Sequence, residues 1–269
     1  MIPLKSLTDA GKYFLKKQKR STGVSEKELI KIAVKSMGLD ELGPFKPEER
    51  IIEFMLSKPG RLIGMNLSDF ADETASESPA PGGGSISAYI GALGISLATM
   101  VANLSSHKKG WDDKWEEFSD WAERGESIKS DLIKMVDADT EAFNKIMQAM
   151  SLPKSTEPEI RIRSAAIAEA TRNAIEIPFK VMELSYSSME IIKAMAEAGN
   201  PNSVSDAGVG ALCGRSAVMG AFMNVRINAA GYDDKKFCGD IIAKGNELER
   251  KAIEAENEII TIVNRKINA

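Results

Sequence analysis

The chain has 269 residues, of which 43% are hydrophobic and 28% are charged, and its formal net charge is −4 at pH 7. This composition is typical of a globular protein with a sizeable core, and it excludes both a disordered chain and the strong basic excess of a nucleic-acid-binding surface. Two cysteines without a CxxC pair, a single histidine and an N-terminus without a continuous apolar core predict a cytoplasmic protein with no disulfide framework, zinc site or secretory signal.

The first sixty residues predict a short helical appendage. The stretch SEKE from Ser25 is typical of a capping box, and Gly38 stops the helix that follows. Pro47 suits the first position of a further helix over EERIIEFML, and Pro59 and Gly60 predict a turn. We therefore divide the chain into an appendage of residues 1–60 and a body of residues 61–269.

Ser68 can cap a short helix, which leads into the glycine loop SPAPGGGS and then into a long uncharged stretch. It runs from Ser85 to Leu104, and its length alone would suit a membrane span. Its serines, its Asn103 and its many glycines and alanines favour a fully buried helix instead, so we expect no membrane segment. Small residues such as Gly94 would let a neighbouring helix approach closely.

Hydrophobic residues recur every three or four positions from Trp111 to Met150, which predicts one long helix. Asp139 is the carboxylate on this apolar stripe. Burial raises the pKa of a carboxyl group, and such groups often serve as acids or bases. A water-filled gap, or a buried Lys or Arg partner, would explain the same position without catalysis. Asp137 and Glu141 lie off the stripe and are expected to be solvated.

Three more helices are predicted in the rest of the chain. One covers about residues 159 to 198 with a kink at Pro178, and Gly199 ends it. The next follows Ser203 or Ser205 and is again rich in small residues, and an amphipathic helix reaches the C-terminus. The sequence therefore predicts an all-α fold, a helical bundle with long antiparallel helices.

Both helices that are rich in small residues follow a polar loop, PGGGS before the first and NPNSVSD before the second. Unpaired backbone N–H groups and the helix dipole suit a polar or anionic ligand at such a helix start, and glycine permits a close approach. An ordinary flexible turn is the alternative for the glycines. A P-loop is excluded because its Lys-Ser/Thr pair is missing.

Three segments, in order, resemble the cyclodeaminase family, which comprises formimidoyltetrahydrofolate cyclodeaminases and related methenyltetrahydrofolate cyclohydrolases. They are ASESPAPGGGSISAYIGALGISLATMVANLS, VDADTEAF, and GNPNSVSDAGVGAL with its continuation GAFMNVRIN. The resemblance covers about residues 66 to 265 and implies an all-helical bundle that forms homodimers or higher homo-oligomers. Residues 1–56 resemble the C-terminal end of a glutamate formimidoyltransferase without its catalytic body, either as a remnant of a split fusion or as a docking piece for a separate transferase.

The resemblance implies that 5-formimidoyltetrahydrofolate is converted to 5,10-methenyltetrahydrofolate and ammonia, in histidine degradation and one-carbon metabolism. This reaction needs no metal or redox cofactor beyond the folate substrate. The match of VDADTEAF assigns the catalytic aspartate to Asp139. Two loops are implied to contact the folate: the glycine loop, with Pro81, Gly82, Gly83, Gly84 and Ser85, and a second wall, with Asn200, Asn202, Ser205 and Asp206. Asp206 alternatively serves only as a carboxylate favoured by the helix dipole.

The glutamate tail of a folate, which is longer in polyglutamylated forms, is anionic and requires cations near the mouth of the site. Lys108, Lys109, Arg215 and Arg226 are candidates, and His107 is either a surface residue or a proton carrier. Two other functions stay open. One is a methenyltetrahydrofolate cyclohydrolase, and the other is a non-catalytic folate-binding partner that docks a formimidoyltransferase.

Overall fold

The computed structural model describes residues 1–56 and 62–269, and in this part of the chain the longer elements are α-helices. The all-α prediction is therefore confirmed. The predicted turn at Pro59 and Gly60, and the boundary near residue 60, lie outside the described residues. The helices are α1 (Leu4–Lys17), α2 (Glu26–Ser36), α3 (Pro47–Arg50), α4 (Ile52–Leu56), α5 (Leu67–Thr74), α6 (Gly83–Ser106), α7 (Trp115–Met150), α8 (Glu157–Ala198), α9 (Val204–Ala230) and α10 (Lys235–Ile267), with a 3₁₀ turn at Pro201–Ser203.

Residues 1–56 form a small unit that is anchored to the body by hydrogen bonds. The backbone N–H of Thr22 donates to Ser119 Oγ at 2.9 Å, and Asn103 Nδ2 donates to the Gly23 carbonyl at 2.7 Å. A Cβ on Gly23 would lie 2.2 Å from the backbone carbon of Ala122, so this contact requires glycine. The unit has its own core of buried side chains: Leu7, Ile30, Ala33, Val34 and Ile51.

The segment after Pro47 is two short helices rather than one. Ile51 has an extended backbone and forms an isolated parallel bridge with Ile2. The Ile2 N–H donates to the Arg50 carbonyl at 2.8 Å. This pairing with the start of the chain separates α3 from α4, which the local sequence did not indicate.

Helix starts agree with the sequence at some positions and differ at others. Ser25 is the N-cap of α2, as predicted. Asn66 rather than Ser68 caps α5, because the Asn66 side chain accepts a hydrogen bond from the Asp69 N–H. The long helix α7 begins at Trp115, and Trp111 lies before it, with its ring stacked on Phe118.

The uncharged helix α6 is the centre of the body and packs against α7, α8 and α9. A Cβ on Gly94 would lie 2.9 Å from the Gly210 carbonyl oxygen, so small residues do allow the close approach that was predicted. Gly83 faces Asn224 whereas Gly94 faces Gly210, which shows that α6 and α9 run antiparallel.

Within the described ranges, α6 is the one helix whose length and composition would suit a membrane span. In its most apolar window, 61% of the residues are buried inside the protein. Ala88, Ile95 and Ala98 have no exposed surface at all. This burial is that of a core helix in the bundle.

The apolar stripe of α7 is buried only as far as α6 covers it. Phe118, Leu132 and Val136 are almost fully buried, whereas Phe143 is 39% exposed and Met150 is 50% exposed. The reason is that α6 begins at the level of Asp139, so the last three turns of α7 extend past it. Further along the chain, α8 continues through Pro178 without a break in the helix.

Candidate active site

Asp139 lies against the first turn of α6, and this contact explains the glycines of the loop. A Cβ on Gly84 would lie 2.1 Å from Asp139 Oδ1 and 2.6 Å from Oδ2, which leaves no room for any side chain there. Ser85 Oγ is 3.1 Å from Asp139 Oδ2 and 2.9 Å from the Val136 carbonyl oxygen, so its proton is shared between these two acceptors. The carboxylate is therefore held at the N-terminus of α6 by backbone and hydroxyl groups.

Burial raises the pKa of Asp139 above its usual value. The hydroxyl and the backbone N–H of Ser85 act in the opposite direction, because both donate hydrogen bonds that favour the charged form. Burial is the larger influence. The carboxyl group is thus poised to gain and lose a proton nearer to neutrality than an ordinary aspartate.

The other two carboxylates of this part of α7 lie elsewhere. Asp137 accepts a hydrogen bond from the Leu62 N–H at 2.8 Å, so the expectation that it is merely solvated is wrong. Glu141 is exposed, as predicted. Asp139 is the acidic residue of α7 that lines the cavity described next.

A cavity of about 140 Å³ opens beside Asp139. Phe143, Ile146 and Ala174 form its apolar side, while Thr140 and two asparagines of α9 add polar groups. The full lining comprises Pro79, Ala80, Gly82, Gly83, Gly84, Asp139, Thr140, Ala142, Phe143, Ile146, Ala174, Asn224 and Asn228. An apolar cleft with a few convergent polar groups and one perturbed carboxyl group has the composition of a ligand site.

Asn224 and Asn228 are site residues that the sequence analysis missed. Asn224 Nδ2 donates to the Gly220 carbonyl at 2.9 Å, and Asn228 Nδ2 donates to the Ala174 carbonyl at 2.7 Å. Both amide groups are therefore oriented by the backbone at the cavity wall. The signal was available, because residues four apart share one face of a helix and both occur in the quoted stretch GAFMNVRIN.

The glycine loop lies beside Asp139, and its predicted contact with a folate stays a prediction. Gly82, Gly83 and Gly84 line the cavity. Pro81 and Ser85 are buried on either side of them and do not line it. Ser85 reaches the site only through its hydrogen bonds to Asp139.

The predicted second wall lies at the other end of α6. The Asn200 N–H donates to Ser105 Oγ at 2.8 Å, in the last turn of the helix that begins at Gly83. A helix of 24 residues is about 36 Å long. Within one chain, Asn200, Asn202, Ser205 and Asp206 therefore do not form a wall of the cavity beside Asp139, because the length of α6 separates them.

The four predicted cations are not among the residues that line the cavity in the described chain. Arg215 pairs with the buried Glu256 at 3.0 Å. Lys108 lies 4.0 Å from the Trp111 ring, and Arg226 lies over Phe222. Lys109 is exposed at the far end of α6.

Another cation lies closer to the site. Lys145 lines a groove of about 410 Å³ between the end of α7 and the start of α8. This groove adjoins the cavity, since Ala149 and Ala170 on its walls are one turn from Ile146 and Ala174 of the cavity. The sequence analysis did not single out Lys145, which is one of many lysines on exposed helix surfaces.

His107 also lies away from the cavity. It follows α6, and its Nε2 accepts a hydrogen bond from the Ser21 N–H at 3.2 Å. Partial burial and the nearby Arg20 lower the pKa of this imidazole. In this chain His107 therefore links the N-terminal unit to the body.

Comparison with known proteins agrees with this architecture. Residues 66–247 match the family model described as formiminotransferase-cyclodeaminase, and residues 1–57 match the formiminotransferase domain. The chain belongs to the formiminotransferase-cyclodeaminase family. The resemblance stated from the three sequence segments is confirmed.

Individual members of the formiminotransferase-cyclodeaminase family cover the chain to different extents. The formimidoyltransferase-cyclodeaminase of Mus musculus is 34% identical over 240 residues, which is 88% of this chain and 44% of that protein. The methenyltetrahydrofolate cyclohydrolase of Methylorubrum extorquens is 34% identical over 75% of this chain and 97% of its own length. The chain thus spans about half the length of the bifunctional relatives.

A solved structure gives the same fold. The crystal structure of formiminotetrahydrofolate cyclodeaminase from Thermotoga maritima superposes with a TM-score of 0.68 at 26% identity. The superposition covers 77% of this chain and 100% of the Thermotoga maritima chain. The chain is therefore a member of a family of folate enzymes with an all-α cyclodeaminase-like body.

Proposed function

We propose that this chain is a formimidoyltetrahydrofolate cyclodeaminase, which converts 5-formimidoyltetrahydrofolate to 5,10-methenyltetrahydrofolate and ammonia, with Asp139 as the proton carrier. The observation that carries the proposal is the Asp139 carboxyl group, whose pKa is raised by burial at the wall of a cavity. In our proposal the protein acts as a cytoplasmic homodimer, needs no cofactor besides the folate, and belongs to histidine degradation.

The reaction requires two proton transfers that one carboxyl group can serve. The formimino group enters with its nitrogen protonated, as an amidinium. N10 of the folate attacks the formimino carbon, the C=N π electrons move to that nitrogen to leave a neutral amino group, and Asp139 as a base accepts the proton that N10 loses. The resulting carbon carries N5, N10 and an amino group. Asp139 then returns the proton to that amino group, which leaves as ammonia while N5 donates its lone pair to form the methenyl bridge. A carboxyl group with a raised pKa suits both roles near neutral pH.

The other groups of the cavity have binding roles in this proposal. The backbone of Gly82–Gly84 lets the ligand approach closely, and Asn224 and Asn228 offer fixed amide groups to the polar edge of the folate. Lys145, in the adjoining groove, is the described cation that we assign to the glutamate tail. The apolar side chains of Phe143 and Ile146 exclude water from the reacting atoms.

A second candidate function is methenyltetrahydrofolate cyclohydrolase. The Methylorubrum extorquens relative with that name is as similar to this chain as the mouse bifunctional protein is, at 34% identity. The match of residues 1–57 to the formiminotransferase domain favours the cyclodeaminase, because such a unit accompanies formimino-group chemistry in the bifunctional relatives. We also propose that these residues dock a glutamate formimidoyltransferase.

The experiment supplies purified protein with 5-formimidoyltetrahydrofolate and follows methenyltetrahydrofolate and ammonia together. Wild type is compared with Asp139→Asn, and Asp131→Asn on the same helix is the matched control, because Asp131 pairs with Lys134 at the surface, 3.0 Å away. We expect both products from wild type and the control, and a loss of about 100-fold or more in Asp139→Asn.

Two other results would redirect the assignment. Rapid opening of added methenyltetrahydrofolate without release of ammonia from the formimidoyl substrate would assign the cyclohydrolase. Tight folate binding without turnover of either substrate, unchanged in Asp139→Asn, would assign the non-catalytic partner.

A further inference from the structure

Ser85 meets three polar groups of α7 through one hydroxyl group. Its Oγ lies 2.9 Å from the Val136 carbonyl oxygen, 3.1 Å from Asp139 Oδ2 and 3.4 Å from Thr140 Oγ1. Ser85 has no exposed surface, and it is not among the residues that line the cavity beside Asp139. A side chain that is buried behind the acid–base group can influence the reaction only through that group.

The two oxygens of the Asp139 carboxyl group lie against consecutive residues of α6. Oδ2 is the oxygen within hydrogen-bond distance of Ser85 Oγ, whereas a Cβ on Gly84 would come nearest to Oδ1, at 2.1 Å. Gly84 lines the cavity and Ser85 does not. Oδ1 is therefore the oxygen on the cavity side, and Oδ2 is the oxygen on the side of the protein interior.

The hydroxyl group of Ser85 has one proton and two acceptors within reach. A carboxylate is a stronger acceptor than a peptide carbonyl, so the hydroxyl donates to Oδ2 when Asp139 is ionised. A protonated carboxyl group is a weaker acceptor, and the Val136 carbonyl oxygen at 2.9 Å can then take the hydroxyl proton instead. The hydroxyl can change its acceptor by rotating about one bond, without a displacement of the Ser85 oxygen.

Both protonation states of Asp139 therefore leave the Ser85 hydroxyl with an acceptor. A buried donor without an acceptor costs free energy, and the Val136 carbonyl removes that cost when Asp139 is protonated. The hydroxyl nevertheless favours the charged form of Asp139, because it donates to the carboxyl group in that form. The hydrogen bonds from Ser85 accordingly lower the pKa of Asp139, against the larger effect of burial.

Charged groups on the surrounding elements do not take this role. Among the described residues that line the cavity, Asp139 is the only one with a titratable side chain, and α6 carries no charged residue. Charged residues on the other elements pair elsewhere or face solvent: Asp137 accepts from the Leu62 N–H, Glu77, Glu141 and Lys145 are exposed, Arg172 pairs with Glu176 on α8, and Arg226 on α9 lies over Phe222. The donors that oppose the effect of burial on Asp139 therefore come from Ser85.

We propose that Ser85 is the positioning residue of the acid–base step. Its hydroxyl holds Asp139 Oδ2 when the carboxyl group is ionised, turns to the Val136 carbonyl when it is protonated, and leaves Oδ1 free to exchange a proton with the ligand. Ser85 itself neither gains nor loses a proton, because only its hydrogen bond changes acceptor. That the exchanged proton belongs to a formimidoyl folate rests on the proposed function, whereas the change of acceptor does not.

The first test measures how kcat/KM depends on pH. In the proposed reaction Asp139 begins as a base, so kcat/KM should rise as pH passes the pKa of its carboxyl group. Loss of the hydroxyl in Ser85→Ala raises that pKa, so the midpoint of the rise should move to higher pH. Below the wild-type midpoint the variant should lose roughly tenfold in kcat/KM, and it should recover most of this loss at high pH.

Matched variants separate positioning from packing. Ser188→Ala is the control with the wild-type midpoint, because Ser188 is equally buried and its Oγ donates to the Ser185 carbonyl at 2.7 Å. Ser85→Thr keeps the hydroxyl and should keep the wild-type midpoint, even where its extra methyl group lowers the rate. Ser85→Cys has a weak thiol donor and is the second variant if Ser85→Ala fails to fold. A midpoint that stays in place in both hydroxyl-free variants, with an equal loss at all pH values, would overturn the proposal.

The second test is independent of activity and measures the same hydrogen bond through protein stability. Urea titrations at several pH values compare wild type with Ser85→Ala. At low pH, where Asp139 is protonated in both proteins, the variant lacks the hydrogen bond to the Val136 carbonyl. As pH rises through the raised pKa of Asp139, it lacks instead the stronger bond to the charged carboxylate, so its deficit in the unfolding equilibrium constant should grow roughly tenfold.

The Asp139→Asn background is the reference for the urea titrations. An asparagine side chain does not titrate, so the cost of Ser85→Ala should not change with pH in that background. A cost that is independent of pH with Asp139 present, or that changes equally in both backgrounds, would overturn the proposal. If wild type releases no ammonia from 5-formimidoyltetrahydrofolate, the proposed function fails, and the urea titrations alone decide the role of Ser85.

Discussion

The replacement of Gly84 by alanine tests whether the glycine loop exists to admit the Asp139 carboxylate. The new Cβ would lie 2.1 Å from Asp139 Oδ1, whereas ordinary contact begins at 3.4 Å. The carboxyl group must therefore move by about 1 Å or more, and a displacement of that size costs roughly 100-fold in rate. The forced contact should also lower the free energy of unfolding by about 1–3 kcal/mol. Product formation and urea denaturation measure the two effects.

The neighbouring glycines provide a graded series for this prediction. A Cβ on Gly83 would lie 3.2 Å from Asn224 Nδ2, and one on Gly82 would have its nearest neighbour at 3.8 Å. Alanine should therefore reduce activity most at residue 84, less at Gly83 and least at Gly82. Gly239→Ala is the control outside the site, because nothing lies within 4 Å of its Cβ. Equal losses across the series, or an unaffected Gly84→Ala enzyme, would refute the steric reasoning.

Three further predictions concern pH, the core and the N-terminal unit. Because burial raises the pKa of Asp139, the folded protein holds a proton that the unfolded chain releases, so the free energy of unfolding falls as pH rises from the usual carboxyl pKa through the raised one. An asparagine side chain does not titrate, so the stability of the Asp139→Asn variant relative to wild type should increase over that pH range. Urea titrations at several pH values measure this difference. Arg215→Ala leaves the buried Glu256 without its ion-pair partner, and we expect the free energy of unfolding to fall by about 2 kcal/mol in the same assay. This loss is smaller than for an ion pair with two buried side chains, because Arg215 is partly exposed to solvent. Gly23→Ala would place a Cβ 2.2 Å from the backbone of Ala122, so limited trypsin digestion should release the N-terminal unit faster than in wild type, and an unchanged digestion rate would contradict this contact.

Structural features that depend on residues near one another in the sequence were predicted well. The period of three to four residues identified α7, and it gave Asp139 as the carboxylate on a core-facing stripe, which the structure places at the end of the buried stretch. The same pattern did not show that Phe143 and Met150 are exposed. Exposure there depends on where α6 begins, and that is a long-range property of the bundle.

The composition of the site shows the same division between local and long-range information. The glycines at 82–84 were assigned to the site from the loop, but the need for glycine at residue 84 follows from a carboxylate fifty-five positions away in sequence. Asn224 and Asn228 were overlooked because an asparagine pair on a helix rich in small residues has many structural roles. Asn200 was assigned to the same wall because it belongs to a neighbouring motif, although order along the chain does not fix distance across a bundle.

The position of Asp139 stabilises both the charged and the neutral form of its carboxyl group. At the start of α6 the carboxylate accepts hydrogen bonds from Ser85 and lies at the positive end of a helix dipole, which stabilises the charged form. Burial beside Val136 and Ala142 stabilises the neutral form. A carboxyl group under only the first influence would stay ionised, and one under only the second would hold its proton. Because the two influences oppose each other, the cost of changing the protonation state is reduced, and that is the property a proton carrier needs in both steps of the proposed reaction.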